Sequence, residues 1–596
     1  MPEYLAPGVY VEETSFRSQS IEGVGTSTTA FVGPTRRGPI GGTPELVTSL
    51  PDFERLYGSL QDLDLGDILD PARKLNFVAH AARAYFENGG SRLYIARTST
   101  SEDAAAGALI TGADDTKSAT FRARGPGAAY NGLVRLRVAT AAATALTATN
   151  APDGSMMAIA TAATTATPSV TTNYLKTAGK WSDSTSTALT LPTRPGDTPG
   201  PAGATASLLT LSVEFEDADG YVQGWDGLGF GDAHPSYVGT LLASDPTNRT
   251  DALENLIWFD VGTTITPFAL LDAVNALKPQ PGDKDPRGSQ PMTGGTDGDA
   301  PTNGDELTPG TYAAALAIVA GLEDVSIVAA PGSSAYGDAE AIEGQLIAHA
   351  EAVRAYRIAV LDAEPQLTPG DVRDSRARID SKYAALYYPW VIVSNPNAVP
   401  GRDDIPKEIS LPPSGFVTGI YARNDTQRGV FKAPANEVVT GALRFESDIN
   451  FAQQEMLNPL GVNCLRYLSG RGYRLWGARL ASSDPEWKYV SDRRYFNYLE
   501  ASIDRGMQWA VFEPNGERLW ANVTQTVSDF LYNEWRSGAL LGTTADDAYF
   551  VRCDRTTMTQ NNLDNGQLVC LIGVAIIKPA EFVIFRIGQK TADARS

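Results

Sequence analysis

Only a few residues in this chain of 596 have types and spacings that could do chemistry. Gly332-Ser333-Ser334-Ala335-Tyr336-Gly337 follows an apolar run and precedes a helical pattern. That is the setting of the elbow that presents a nucleophilic serine, but Tyr336 stands where its second glycine belongs. Capping of the following helix by one of the two serines accounts for the same residues. His80, His234 and His349 are isolated from one another, and each reads as an ordinary packed or surface histidine. No His-Glu-x-x-His pair occurs, and the Gly179-Lys180 step lacks the earlier glycine of a phosphate loop. Gly294-Gly295-Thr296-Asp297-Gly298-Asp299 offers oxygen donors without the spacing or repetition of a calcium loop, and it reads as a solvated turn. Carboxylates are too numerous for one pair to mark an acid–base couple. Cys464, Cys553 and Cys570 fit neither a disulfide framework nor a zinc site, which points to a reducing compartment. No catalytic residue, metal ligand or cofactor is expected.

The elements around these residues are easier to read. Residues 1–17 form an extended arm: Pro7 and Gly8 oppose a helix, and Val9 and Val11 alternate with Tyr10 and Glu12 at strand period. Residues 71–88 read as a helix with Leu75, Val78, Ala79, Ala82 and Phe86 as its apolar stripe, ended by Gly89-Gly90. A strand at 94–96 follows. From 108 to 245 the texture turns to Thr, Ala, Ser and Gly with alternating runs at 133–138 and 208–215, the pattern of one or two β-rich inserted domains. A polar loop is expected at 279–309. Strands at 326–331, 357–361 and 391–393, with a helix at 337–354, predict a doubly covered parallel sheet. Helices near 445–457, 490–505 and 521–537 are expected to mix with strands at 473–480, 547–553 and 567–577, and 581–587 to form a terminal strand. The fold class is therefore multidomain α/β. The expected domains are an arm at 1–17, an N-terminal part at 18–107, the insert at 108–245, an α/β domain at 246–430, a C-terminal α+β domain at 431–578 and an arm at 579–596.

Composition narrows the function. The chain is 42% hydrophobic and 20% charged, as in globular proteins, and 56 Gly with 37 Pro favour many turns. A net charge of −21 repels phosphate backbones, so nucleic acid is not an expected partner. The N-terminus has no signal-peptide pattern, and the apolar run at 568–577 is about half of the ~20 residues a membrane span needs. Residues 431–596 carry 18 basic and 19 acidic side chains, whereas the preceding 430 carry 31 and 51. Trp476, Trp487, Trp509, Trp520 and Trp535 also fall in the balanced part. Aromatic enrichment with balanced charge suits either buried subunit contacts or simply a well-packed domain.

Both ends read as strands outside any compact unit. Ten extended residues reach about 33 Å, far enough to add to a neighbour's sheet edge, although pairing within the chain would use the same residues. In the C-terminal arm, which comprises Phe582, Val583, Ile584, Phe585 and Ile587, the side chains of Val583, Phe585 and Ile587 make one apolar face.

An ordered series of motifs resembles the contractile tail sheath proteins of phages, R-type pyocins and extracellular contractile injection systems. It runs through Gly415-Phe416-Val417-Thr418-Gly419-Ile420-Tyr421-Ala422-Arg423-Asn424-Asp425, then Arg428-Gly429-Val430-Phe431-Lys432-Ala433-Pro434-Ala435-Asn436. Asn458, Gly461-Val462-Asn463, Trp476-Gly477-Ala478-Arg479, Arg493-Arg494 and Phe512-Glu513-Pro514-Asn515 continue it. Pro7-Gly8-Val9-Tyr10-Val11-Glu12-Glu13 and Lys578-Pro579-Ala580-Glu581-Phe582 match at the ends. The resemblance covers the first hundred residues and about 290–590. The insert matches no family pattern, and Leu480 follows Arg479 where relatives often carry Thr.

The resemblance implies a structural subunit that is no enzyme. It implies stacked hexameric rings around an inner tube, metastable when extended, whose contraction drives the tube through a target envelope. Expected partners are other copies, the tube protein, baseplate and tail-terminator proteins, and a disassembly ATPase, with assembly in a bacterial or archaeal cytoplasm. The family's middle domain is likened to subtilisin without its catalytic residues, and its terminal arms join sheets of neighbouring subunits. The rivals are an inactive-looking α/β hydrolase, which needs a nucleophile, and a surface-layer or adhesin protein, which needs an export signal.

Overall fold

The computed structural model describes residues 20–68, 70–110, 119–162, 169–262, 265–281, 283, 285–403 and 405–587. Val9, Tyr10, Val11 and Glu12 of the first arm lie outside the described residues. Six parallel strands form the central sheet in the order Val462–Leu468, Ala384–Tyr388, Ile358–Asp362, Ile327–Ala329, Thr29–Pro34 and Leu93–Thr98. Antiparallel Gly472–Leu475 and Glu437–Val438 extend one edge. Alternate side chains enter two separate cores. Phe31, Ile95, Ile358, Val360 and Tyr387 pack under helices Phe77–Glu87 and Ser414–Arg428. Ala30, Val32, Ala359, Leu361 and Leu386 pack under Tyr312–Ala320 and Ala339–Glu351. A sheet buried on both faces tolerates near-continuous apolar runs, as these strands are.

The expected third parallel strand at 391–393 is instead part of another sheet. Val391–Ser394 pairs antiparallel with Glu408–Leu411 and Arg444–Phe445. Ala384–Tyr388 takes the central position, and Pro389 interrupts the run between the two strands. The expected serine cap is also corrected. Ser333–Ala335 forms a short 3-10 turn, Asp338 stands at the start of the following helix, and Ser334 Oγ donates to Ala363 O over 3.2 Å.

Two helices of the central layer approach closely because of glycine. A Cβ on Gly415 would lie 2.6 Å from Ala81 Cα, and one on Gly419 would lie 2.5 Å from Tyr85 O. Four residues apart, these glycines share one helix face, so the Ser414–Arg428 helix can seat directly on Phe77–Glu87.

The β-rich body is larger than expected. Its main antiparallel sheet runs Gly288–Pro291, Leu133–Ala142, Thr205–Glu216, Met156–Thr161, Val170–Thr177, Lys180–Ser182 and Ala188–Leu189, with Val222–Leu228 also on Thr205–Glu216. Ile257–Asp260 pairs with Ala119–Ala123, which pairs with Ala106–Ile110. Leu256, Leu270, Val274 and Met292 enter the same core as Phe121, Leu211 and Phe215. Residues 256–292 therefore pack in the core of the insert, and the expected loop at 279–309 contributes its edge strand Gly288–Pro291.

Buried ion pairs join this body to the central layer. Arg36 reaches Asp219 at 2.7 Å and Asp297 at 3.3 Å, and Arg37 pairs with Asp217. Asp297, expected in a solvated turn, is buried and also accepts the amides of Asp64 and Ala128, each at 2.8 Å. Its carboxylate is fully employed by protein donors, which is why it is withdrawn from solvent.

The C-terminal lobe combines helices Phe451–Leu457, Val490–Gly506 and Glu517–Arg536 with a hairpin of Tyr549–Arg552 and Leu571–Val574. Glu517–Arg536 buries Leu519, Trp520, Val523, Val527, Phe530 and Leu531 at helical spacing. Tyr495 and Tyr498 both donate to Glu534, at 3.1 and 2.9 Å, and so tie the two long helices together. The expected strands at 473–480 and 567–577 shorten to Gly472–Leu475 and Leu571–Val574. Residues 581–587 make no strand, because a strand needs a ladder partner and none of the described residues supplies one.

Candidate assembly surface

The C-terminal arm begins at a clamp. Glu581 accepts Arg479 Nε at 2.7 Å and Nη2 at 2.6 Å, Asn458 Nδ2 at 2.7 Å and the Tyr489 hydroxyl at 2.9 Å. Lys488 Nζ stands 3.6 Å away. Arg479 is itself fixed by Asn463, whose Oδ1 accepts the Arg479 amide at 2.6 Å and whose Nδ2 donates to the Arg479 carbonyl at 2.7 Å. Gly477 permits this, since a Cβ there would lie 2.9 Å from Asn463 Cα. Burial opposes ionisation of Glu581, but the donors from Arg479, Asn458 and Tyr489 outweigh it and hold its carboxyl down at about 2.

Beyond the clamp the chain turns outward. Phe582, Val583, Ile584, Phe585 and Ile587 are all exposed, Phe585 at 83% and Ile587 at 97%. A large apolar side chain gains about 1.5–3 kcal/mol on burial, so five within six residues left in water mark a segment that lacks its packing partner. Nearby, the hairpin is a sheet of only two strands, with Phe550, Leu571 and Ile572 exposed. Such a sheet has two edges of free backbone donors and acceptors.

Residues 20–26, which follow the first arm in sequence, pack on the helix whose N-terminal end meets Glu581. The Val24 amide donates to Ser502 Oγ at 3.1 Å. Ile21 packs so closely on Gly506 that a Cβ there would come within 2.7 Å, and Gly23 lies against the Tyr498 ring. Arg494 Nη2 donates to Thr26 O at 2.9 Å and forms a two-pronged ion pair with Asp425, at 2.9 and 2.6 Å, with both side chains almost fully buried. The Thr26 hydroxyl donates to the same carboxylate at 2.6 Å. Residues 20–26 thus run along the Val490–Gly506 helix from Gly506 back to Arg494. Tyr489, at the N-terminal end of this helix of about 25 Å, holds the other arm.

The remaining motif residues are framework. Arg428 is exposed at the end of its helix, and Gly429, at φ +95°, turns the chain there. Lys432 pairs with Glu437 at 2.6 Å, Pro434 is buried, and Asn436 donates its amide to Leu475 O at 2.8 Å. Trp476 is half-buried and donates its amide to Cys464 O at 2.9 Å. Arg493 stacks on Trp487 at 4.4 Å and Tyr383 at 4.8 Å, bonding Asn497 and Glu500. Of the sequence-predicted residues, the structure brings Arg479 to the second arm root and Arg494 to the first. Sequence reasoning assigned no role to Asp425 or Glu581, because their partners lie 69 and 102 residues away and spacing carries no such signal.

The small cavity beside Ser333 and Ser334 is lined by Ala330, Ala339, Glu343, Leu346 and Asp362, with no histidine among its lining residues. Asp362 accepts the amide and hydroxyl of Ser414, each at 2.7 Å, and so serves the start of a helix. Among the described residues no helix is long and apolar enough to cross a membrane.

Two segments of the chain match known protein families. Residues 305–479 match the phage tail sheath protein central domain, and residues 482–590 match the phage tail sheath C-terminal domain. The chain is 26% identical over 267 residues to a putative prophage major tail sheath protein of Pseudomonas aeruginosa, a match covering 44% of this chain and 64% of that relative. Its fold is similar to the PVC sheath of an extracellular contractile injection system in the contracted state, with a TM-score of 0.51, 19% identity and 99% of each chain covered. The contracted helical sheath of the anti-feeding prophage is also similar, with a TM-score of 0.50 and 21% identity over 98% of this chain and 99% of that one.

Proposed function

The chain belongs to the contractile tail sheath family, and from that premise we propose that it is the structural subunit of a sheath around the inner tube of a phage tail or phage-tail-like injection system. Copies stack as hexameric rings in a metastable extended state and contract to drive the tube through a target envelope. The observation that carries this reading is the unpaired apolar segment 582–587, held outward from a rigid clamp. In this reading it adds as a strand to the Tyr549–Arg552 and Leu571–Val574 hairpin of a neighbouring copy, and residues 1–19 make the second link. Main-chain bonds of that kind survive a change in the angle between subunits, so the lattice can shorten without separating.

The charge-balanced C-terminal lobe forms the inner layer and mesh, with the Glu517–Arg536 helix toward the tube. The subtilisin-like α/β layer lies between, and the acidic β-rich body faces outward, where its charges stay hydrated. Contraction needs no nucleotide: burial of apolar surface releases roughly 25 cal/mol per Å2, and many copies act together. Tube, baseplate and tail-terminator proteins are the partners, with a disassembly ATPase acting after contraction, and assembly takes place in the cytoplasm of a bacterium or archaeon.

Negative-stain microscopy of the full chain and of a chain ending at Glu581 tests the proposal. The full chain is expected to form hollow cylinders, and the truncated chain to remain folded and unpolymerised. Normal cylinders from the truncated chain would refute the arm model.

A further inference from the structure

Cys553 and Cys570 face each other across the C-terminal hairpin. The ladder pairs Arg552 with Leu571, so the next position on each strand sets residue 553 opposite residue 570. The Ala575 amide donates to Ala548 O, which fixes the alternation along the hairpin. Pairs 548/575, 550/573 and 552/571 are the hydrogen-bonded ones, and 553/570 falls on a non-bonded site. In a regular ladder such sites bring side chains closest, with Cα atoms about 4.5 Å apart, within the range of about 4.4–6.8 Å that a disulfide spans. Both side chains belong to one apolar cluster with Trp520, Met558 and Leu568. The two thiols are close enough for each to perturb the other's ionisation. Both cysteines are free thiols, Cys553 buried and Cys570 partly exposed.

We propose that Cys553 and Cys570 form a redox-sensitive cross-strand staple, closed by a low-molecular-weight disulfide such as oxidised glutathione. The accessible Cys570 gives up its proton and attacks the oxidant's S–S bond, forming a mixed disulfide and releasing one thiolate, which takes up that proton. Cys553 then loses its proton and attacks the Cys570 sulfur, expelling the second thiolate, which is protonated in turn. Two protein thiols are oxidised to one disulfide while the oxidant is reduced to two thiols. Burial raises both thiols, that of Cys570 to about 12, so the pair stays protonated in a reducing medium and exchange is slow. The staple encloses residues 554–569, including the short helix Gln560–Asp564, and tethers that loop to the hairpin. Cys464 takes no part, being fully buried in the central sheet.

The test treats the folded full chain with oxidised glutathione, blocks remaining thiols, and counts them after denaturation beside a non-reducing peptide map. Reactive thiols are expected to fall from three to one per chain, with a 553–570 linked peptide within one chain. C464S is expected to fall from two to none, and C570S to form no intrachain link. Three thiols surviving prolonged exposure, a glutathione adduct stalled on Cys570, or a linkage found only between chains would each overturn the proposal.

Discussion

At the residue scale, one carboxylate decides where the second arm leaves the body. Glu581 lies near 2 where glutamate ordinarily titrates at 4.5, so its contribution to docking the arm is complete above pH 4.5 and is lost as pH falls towards 2. Partial exposure limits this to about 1–2 kcal/mol. Protection of amides in 576–581, corrected for the intrinsic exchange rate at each pH, is expected to fall between those pH values, and E581Q to remove the dependence. R479A leaves the half-buried carboxylate without its main partner and should free the arm root by about 2–3 kcal/mol, read as faster exchange in the same segment. The first arm has its counterpart in Arg494. R494A strands Asp425 as a buried charge, and a loss of about 3–5 kcal/mol is expected in chemical denaturation of the C-terminal lobe, with protease cutting near Thr26.

At the scale of elements, the fit of helix on helix sets the central layer. G419A forces a methyl to within 2.5 Å of Tyr85 O and should cost about 1–3 kcal/mol. Gly344, inside the Ala339–Glu351 helix, has nothing near its Cβ position, and G344A should stabilise by about 0.5–1 kcal/mol. Thermal unfolding of the two variants checks both signs. The same contrast explains what could be read from the chain. The Phe77–Glu87 helix showed its stripe because its Arg83 side stays wetter. The Ser414–Arg428 helix is buried from Ser414 to Ala422 and carries two glycines, so it shows neither periodicity nor propensity and surfaced only as a motif. Ala384–Tyr388 was hidden likewise, since a strand covered on both faces has no alternation to display. The insert boundary failed for another reason: Gly288–Pro291 pairs with a strand some 150 residues earlier, and local patterning cannot record a distant ladder.

At the scale of the whole molecule, three bodies serve different ends. The β-rich body is fixed to the central layer through Arg36, Arg37 and Asp297, whereas the C-terminal lobe holds residues 20–26 and Glu581 on one helix. The exposed apolar run at 582–587 was legible in the chain, but the Glu581 clamp was not, because only folding brings position 479 to position 581. The central claim is that segment 582–587 finds its partner on another copy. A cryo-EM map of the assembled cylinder tests it most directly. The account predicts continuous density from Glu581 crossing to a neighbouring subunit, with 582–587 hydrogen-bonded as an added strand on that subunit's hairpin. Density that turns back and pairs 582–587 with the hairpin of its own chain would contradict it.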